Sequence, residues 1–169
     1  MSCVNTETGA PIAVVRADYA NPTHAAALVM LLNAYASDPA GGGEPLSDFA
    51  RANLVQALSS RPQAYSVLAF DAEQPVGLVN CIEGFSTFAC KPLVNVHDVA
   101  VLASHRGQGV AAQMLALAQQ IAQERGAVKM TLEVLSGNTP AVTLYRRMGY
   151  QGYQLDPAMG TAQFFQKWL

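Results

Sequence analysis

Residues 93–112 read Leu93-Val-Asn-Val-His-Asp-Val-Ala-Val-Leu-Ala-Ser-His-Arg-Gly-Gln-Gly-Val-Ala-Ala112: an apolar run, a glycine loop, then the start of a helix. The run Leu93–Val101 carries an irregularity. Val94 and Val96 share one parity, and Val99 and Val101 share the other. Side chains alternate along a strand, so both pairs reach one face only if an extra residue is inserted near His97-Asp98. The other reading is a central strand buried on both faces. In the loop, Arg106-Gly107-Gln108-Gly109-Val110-Ala111 lets backbone approach a ligand closely. The helix that follows opens with N–H groups that have no partner within it, a setting suited to a phosphate or pyrophosphate. A tight turn with no ligand is the plainer reading of the same glycines.

The helix beyond the loop repeats Val110, Met114, Leu117 and Ile121 on one stripe, and Gly126 is its expected stop. Val128–Leu135 reads as a strand, and Thr139-Pro140 opens a helix that ends at Gly149. Tyr150–Gln154 and Ala162–Leu169 are the last two strand candidates. On the N-terminal side, Ile12–Arg16 is a short strand and Asn21-Pro22 caps a helix striped by Leu28, Leu31, Leu32 and Tyr35. A glycine-rich loop, Ser37–Pro45, separates it from a second helix capped by Ser47, with Leu54, Leu58 and either Phe49 or Ala50 facing inward. Tyr65–Phe70 and Val76–Ile82 then flank a turn and form a hairpin that continues into Leu93–Val101. The expected order is β-α-α-β-β-β-α-β-α-β-β, a mixed α/β fold in one domain over 1–169, with 1–10 as a loose arm.

Composition narrows the classes. The 169 residues are 51% hydrophobic and 13% charged, so disorder is excluded as the ground state. A net charge of −2, with no Lys/Arg run, gives no support to a nucleic-acid or anionic-membrane surface. No stretch approaches the ~18 apolar residues of a membrane span. The polar start MSCVNTETGAP lacks a signal-peptide layout, so a cytoplasmic protein is expected. Cys3, Cys81 and Cys90 have no metal-like spacing, Cys81 and Cys90 have no neighbouring base, and no His/Cys/carboxylate set suits a metal. Buried or idle thiols are expected, with no metal. A dinucleotide fingerprint also fits Gly107-x-Gly109-x-x-Ala112 with Glu133 on the next strand. In that fold, however, the glycines follow the first strand directly and several β-α units come after, whereas here one remains.

Val99-Ala-Val101, Arg106–Ala111 and Asn138…Ala141…Leu144-Tyr145 together resemble the GNAT superfamily of acetyl-CoA-dependent N-acetyltransferases. The resemblance is specific over about residues 95–150, and the first ~90 residues carry no diagnostic motif. It implies that Gly107, Gln108, Gly109, Val110, Ala111 and Ala112 hold the CoA pyrophosphate, with Arg106 in the same motif. The main chain of Val99, Ala100 and Val101 would pair with the pantetheine arm, beside a bulge that aims an N–H at the thioester carbonyl. Asn138 would bind CoA from a helix N-terminus, and Tyr145 would protonate the leaving thiolate. Glu133 and Glu83 are the candidate general bases. A carboxylate in mid-strand at Glu133 would be costly to bury without a purpose.

His97 and Asp98 are polar residues in an apolar strand and candidates to meet the substrate, as is Glu83. A satisfied structural histidine is the preferred reading of His97, while His24 and His105 read as surface residues. Asp38, Glu44 and Asp48 lie where the family builds its substrate side, yet read first as ordinary solvated carboxylates. The expected activity is transfer of an acetyl group from acetyl-CoA to a primary amine of a small molecule by direct attack in a ternary complex. The alternatives are acetylation of a protein N-terminus or lysine, and a CoA-binding module without catalysis. A homodimer is an open expectation. Phe164, Phe165 and Trp168 are candidates for its edge, and equally for the core.

Overall fold

The computed structural model describes residues 11–153, 155, 156, 158, 160 and 162–169; the arm expected over 1–10 lies outside them. The chain divides into two compact units, the first ending at Glu133 and the second running from Val134 to Leu169.

The first unit is a five-stranded sheet with helices on both faces. Strand β1 (Ala13–Arg16) leads to α1 (Pro22–Ser37), whose first turn is capped by the Asn21 side chain accepting from the amides of Thr23 and His24. Helix α2 (Asp48–Ser59) starts the same way, with the Ser47 hydroxyl accepting from the Ala50 amide. Both caps are as the sequence predicts. Strands β2 (Ala64–Asp71), β3 (Gln74–Ser86) and β4 (Lys91–Val101) form an antiparallel meander, with β1 on one edge and β5 (Met130–Leu132) parallel to β4 on the other. Between β4 and β5 lie a single 3-10 turn, Ala103–His105, and α3 (Val110–Glu124).

Strand parity sorts the core. Leu68, Phe70, Leu78 and Ala100 pack against Ala27, Leu28 and Leu31 of α1, with Leu54 and Leu58 of α2 at the margin. Phe49 is exposed, so Ala50, half-buried, takes the inward place. The residues of opposite parity face α3, where Tyr65 Oη donates to the Ala118 carbonyl at 2.8 Å. Val110, Met114, Leu115, Ala118, Ile121 and Ala122 are the buried stripe of α3, and Leu117 is only partly covered. Each such aliphatic side chain contributes about 1.5–3 kcal/mol when fully buried. The helix ends as expected at Gly126. The Gly126 amide donates to Gln123 and the Ala127 amide to Ala122, the two bonds of a Schellman stop.

The second unit holds α4 (Thr139–Arg147), opened by the Asn138 side chain accepting from the Ala141 amide at 3.3 Å. The two strands expected after it do not form. Of Tyr150–Gln154 the described residues are irregular (Gln154 is not among them), and Ala162–Leu169 is irregular throughout. A strand needs a partner edge, and neither segment has one among the described residues. Phe164, Phe165 and Trp168 are accordingly exposed and form no core.

Candidate active site

The bulge is present and lies at His97. Asn80 of β3 pairs with Asp98 and the next residue, Cys81, pairs with Val96, leaving His97 as the extra residue. Its consequence is the one the parity of the valines requires. Val94, Val96, Val99 and Val101 stand opposite Glu83, Cys81, Val79 and Gly77, alternate residues of β3, and so all four face α3. Pairing between β4 and β5 covers Val94–Val96 only. Beyond the bulge, Val99–Val101 therefore runs past the end of its parallel neighbour and presents a strand edge. At the end of that edge the Val101 carbonyl accepts from Arg106 Nε at 3.0 Å.

The edge leads into the glycine loop. Gly107 and Gly109 have φ of 76° and 79°, the left-handed region that side chains with a Cβ rarely adopt. Gly109 is the N-cap of α3 and supplies no side-chain cap, so the first-turn amides of Val110, Ala111 and Ala112 begin the helix without one. A 15-residue helix with an uncapped, electropositive start fits an anionic group such as a pyrophosphate. Neighbouring side chains pin the loop. Arg106 pairs with Asp38 at 2.8 Å, and His105 bridges Asp71 at 3.1 Å and the Ser104 hydroxyl at 2.8 Å. Gln108 Nε2 donates to the Ser104 carbonyl. The hydrogen bond from Arg106 holds the Asp38 carboxyl below its ordinary pKa, helped by the Ala40 amide.

Several expected roles meet a different setting. Glu133 is exposed and lies one residue beyond β5, not in mid-strand, because pairing with β4 stops at Leu132. Its carboxylate accepts from Asn95 Nδ2 at 3.3 and 3.4 Å, so the cost of burial argued from the sequence does not arise. Glu83 lies within β3, which runs four residues further than the expected Ile82. It is ion-paired with Arg125 at 3.2 Å, and that guanidinium also covers the Tyr65 ring. Arg125 caps the far end of α3, about 22 Å along the helix from the glycine loop at 1.5 Å per residue.

His97 is exposed at the bulge, against the reading of a satisfied core histidine. His24 and His105 are half-buried instead of surface residues. His24 Nδ1 accepts from the Asp18 amide and the ring lies 5.8 Å from Phe70. Asp48 pairs with Arg51 in the first turn of α2, the ordinary helix-start role. In the second unit Tyr145 is buried on α4, its ring edge-on to Tyr150 at 5.9 Å.

One feature escaped the sequence reading. Tyr19, Ser66, Asn80 and Asp98 form a continuous hydrogen-bonded line, with contacts of 2.9, 2.6 and 2.9 Å. The available signal was Asn80, a polar residue in the apolar run Val76–Ile82, the criterion that singled out His97 and Asp98. Burial pushes the Tyr19 phenol above its ordinary pKa, opposed by the Ser66 hydrogen bond.

Cys81 is buried in β3, and burial pushes its thiol up to about 11. A neutral, enclosed thiol is a poor nucleophile. Cys81 is expected to resist a thiol reagent at pH 8 until the protein is unfolded, whereas Cys90, which is exposed, reacts at once. Mass mapping of the labelled peptides checks this, and fast labelling of Cys81 in the folded protein would contradict it.

A bulged strand outruns its parallel neighbour and feeds a glycine loop at an uncapped helix start, an arrangement that suits an anionic group. The model of the acetyltransferase (GNAT) family matches residues 28–150, and the chain belongs to that family. Over 92 residues it is 37% identical to a streptothricin acetyltransferase of Streptomyces lavendulae, covering 52% of this chain and 49% of that protein. The chain thus spans about half the length of the curated relatives it matches. Among solved structures, a probable acetyltransferase superposes with a TM-score of 0.77 at 22% identity, over 93% of this chain and 98% of that one. AAC(6')-Iy, in complex with the bisubstrate analogue CoA-S-monomethyl-acetylneamine, does so at 0.75 and 18%, over 95% of this chain and all of that one. At these identities the structures establish the fold, a mixed α/β GNAT fold.

Proposed function

We propose that this chain is an N-acetyltransferase that moves an acetyl group from acetyl-CoA to a primary amine of a small molecule in a ternary complex. The observation that carries the reading is the strand edge Val99–Val101 running from the His97 bulge into a doubly left-handed glycine loop and an uncapped helix. When bound, acetyl-CoA supplies an activated acyl carbon and a thiolate leaving group.

The chain's own groups divide the remaining work. The amides of Gly107 to Ala112, with Arg106 beside them, bind the pyrophosphate. The main chain of Val99, Ala100 and Val101 orients the arm, and an N–H at the bulge stabilises developing negative charge on the carbonyl oxygen. Asn138 binds at the start of α4, and Tyr145 donates a proton to sulfur. Asp98, with the exposed His97, meets the acceptor. Glu133, exposed to water, is the better placed of the two carboxylates to accept the amine's proton through a water; Glu83 is committed to Arg125. Proximity in the ternary complex supplies much of the acceleration. That similar proteins include streptothricin and aminoglycoside acetyltransferases supports a small-molecule acceptor.

Isothermal titration of acetyl-CoA, with NAD and NADP as controls, tests the reading. Binding of acetyl-CoA alone is expected, followed by amine-dependent thiol release. Absence of acetyl-CoA binding overturns it, and turnover only on protein N-termini or lysines moves the acceptor to the macromolecular class.

A further inference from the structure

Ser66, Asn80 and Asp98 are direct neighbours across β2, β3 and β4. They draw one polar line across a sheet face whose other residues, Leu68, Phe70, Leu78 and Ala100, are apolar and packed on α1. The direction of the line follows from valence. An ionised carboxylate only accepts, so the Asn80 group facing Asp98 Oδ2 is its NH2 and its carbonyl faces Ser66. The Ser66 proton is thereby used on Asn80, and Tyr19 must donate to Ser66. Every donor points toward Asp98.

Stability does not account for the line. Ser66 and Asn80 are only 1% and 5% exposed. Replacing both partners of a neutral buried hydrogen bond by apolar groups of the same shape can be nearly neutral or even stabilising. What the line delivers is a half-buried carboxylate, one residue past the bulge, with one oxygen fixed. Asp98 has no ion-pair partner among the described residues, whereas Asp38, Asp48, Asp71 and Glu83 each have one. Tyr35 on α1 feels this carboxylate: burial raises its pKa and the charge on Asp98 adds to the rise. A held carboxylate that lacks a cation suits a cationic ligand.

We propose that Asn80, backed by Ser66 and Tyr19, is a positioning residue that aims Asp98 at a positively charged group of the acceptor, so that the acceptor is an amine carrying a cationic centre besides the amine that reacts. The proposal rests on the acetyltransferase reading and narrows its acceptor. The non-reacting charge docks on Asp98, while the reacting amine must be neutral when it attacks.

The test compares spermidine and sisomicin, which carry several amines, with tyramine, which carries one. Wild type, Asn80→Leu, Ser66→Ala/Asn80→Leu and Asp98→Asn are each measured for steady-state kinetics, acetyl-CoA titration and thermal midpoint. The Asn80→Leu and Asp98→Asn variants are expected to raise KM for the polyamine probe that turns over by roughly tenfold or more, the scale of a lost hydrogen bond to a charged group. KM for tyramine should rise by a much smaller factor than KM for the polyamine, and the acetyl-CoA affinity should hold. The Asn80→Leu/Asp98→Asn combination should be no worse than Asp98→Asn alone, because both act through one carboxylate. The double apolar variant controls for folding, since it removes the Ser66 hydroxyl that Asn80→Leu alone would orphan, and adding Tyr19→Phe to it removes the last unpaired hydroxyl of the line and should keep the midpoint close to wild type. Additive effects, equal shifts in KM for tyramine and spermidine, or acetyl-CoA binding with no turnover of either polyamine overturn the proposal while leaving the acetyltransferase reading standing. Loss of acetyl-CoA binding by wild type overturns both.

Discussion

Replacing Gly109 with glutamate is expected to weaken acetyl-CoA binding by about 100-fold or more while leaving the protein folded, the scale set by like charges held at close range in a medium of intermediate dielectric. The two effects of the substitution are separable at this position. Gly109 has φ of 79°, so any L-residue there is strained by about 1–2 kcal/mol. A Cβ built on Gly109 meets nothing within 4 Å, so there is no clash to add. The new carboxylate would also sit at the N-cap of α3, where the helix start favours negative charge and offsets part of the strain. That same preference occupies the place proposed for the pyrophosphate. Gly109→Ala isolates the strain, and its affinity should stay within about tenfold of wild type, given the same conformational cost. Calorimetry and a thermal melt on both variants decide the matter. Equal weakening by alanine and glutamate would mean the glycine serves only the turn, and full affinity in Gly109→Glu would move the phosphate elsewhere.

Local rules carried much of the first unit. The caps at Asn21 and Ser47 and the stop at Gly126 depend on a few consecutive residues, and each forms as expected. The parity break in Leu93–Val101 left two readings open, and β3 decides between them by pairing Asn80 with Asp98 and Cys81 with Val96. Failures cluster where a segment needs something distant. Val128, Met130, Leu132 and Val134 alternate well, yet only Met130–Leu132 is strand, since it pairs with the three residues Val94–Val96 alone. Ala162–Leu169 has strand-forming aromatics and no partner among the described residues, so propensity goes unanswered.

The candidate site divides along the same line. Arg106–Ala111 is contiguous and legible, because two glycines before a helical stripe already specify backbone conformation and an uncapped helix start. The pairing of Arg106 with Asp38 joins residues 68 apart in the chain, and the Tyr19–Ser66–Asn80–Asp98 line needs the register of three strands. Neither is written in any window of sequence. The environments of Glu133 and Glu83 depended likewise on where β5 stops and on which end of α3 meets β3.

Tyr145→Phe is expected to lower kcat by about 100-fold, the ordinary contribution of a positioned general acid, with KM for the amine and the acetyl-CoA affinity changed by no more than about twofold. The substitution is suited to the question because it keeps the ring. Tyr145 packs edge-on against Tyr150, and the Tyr150 amide donates to the Tyr145 carbonyl, so phenylalanine preserves the contacts that close the end of α4. What is removed is one O–H. A phenol near pKa 10 is well matched to a leaving thiol near 8.5, and without it the thiolate must depart unprotonated or take its proton from water. The dependence on the leaving group is therefore the sharper measurement. An acetyl thioester with a more acidic thiol should recover much of the lost rate in Tyr145→Phe and gain little in wild type. A variant that keeps wild-type kcat, or one whose loss is the same for both thioesters, would reduce Tyr145 to a packed aromatic and pass the proton to another donor.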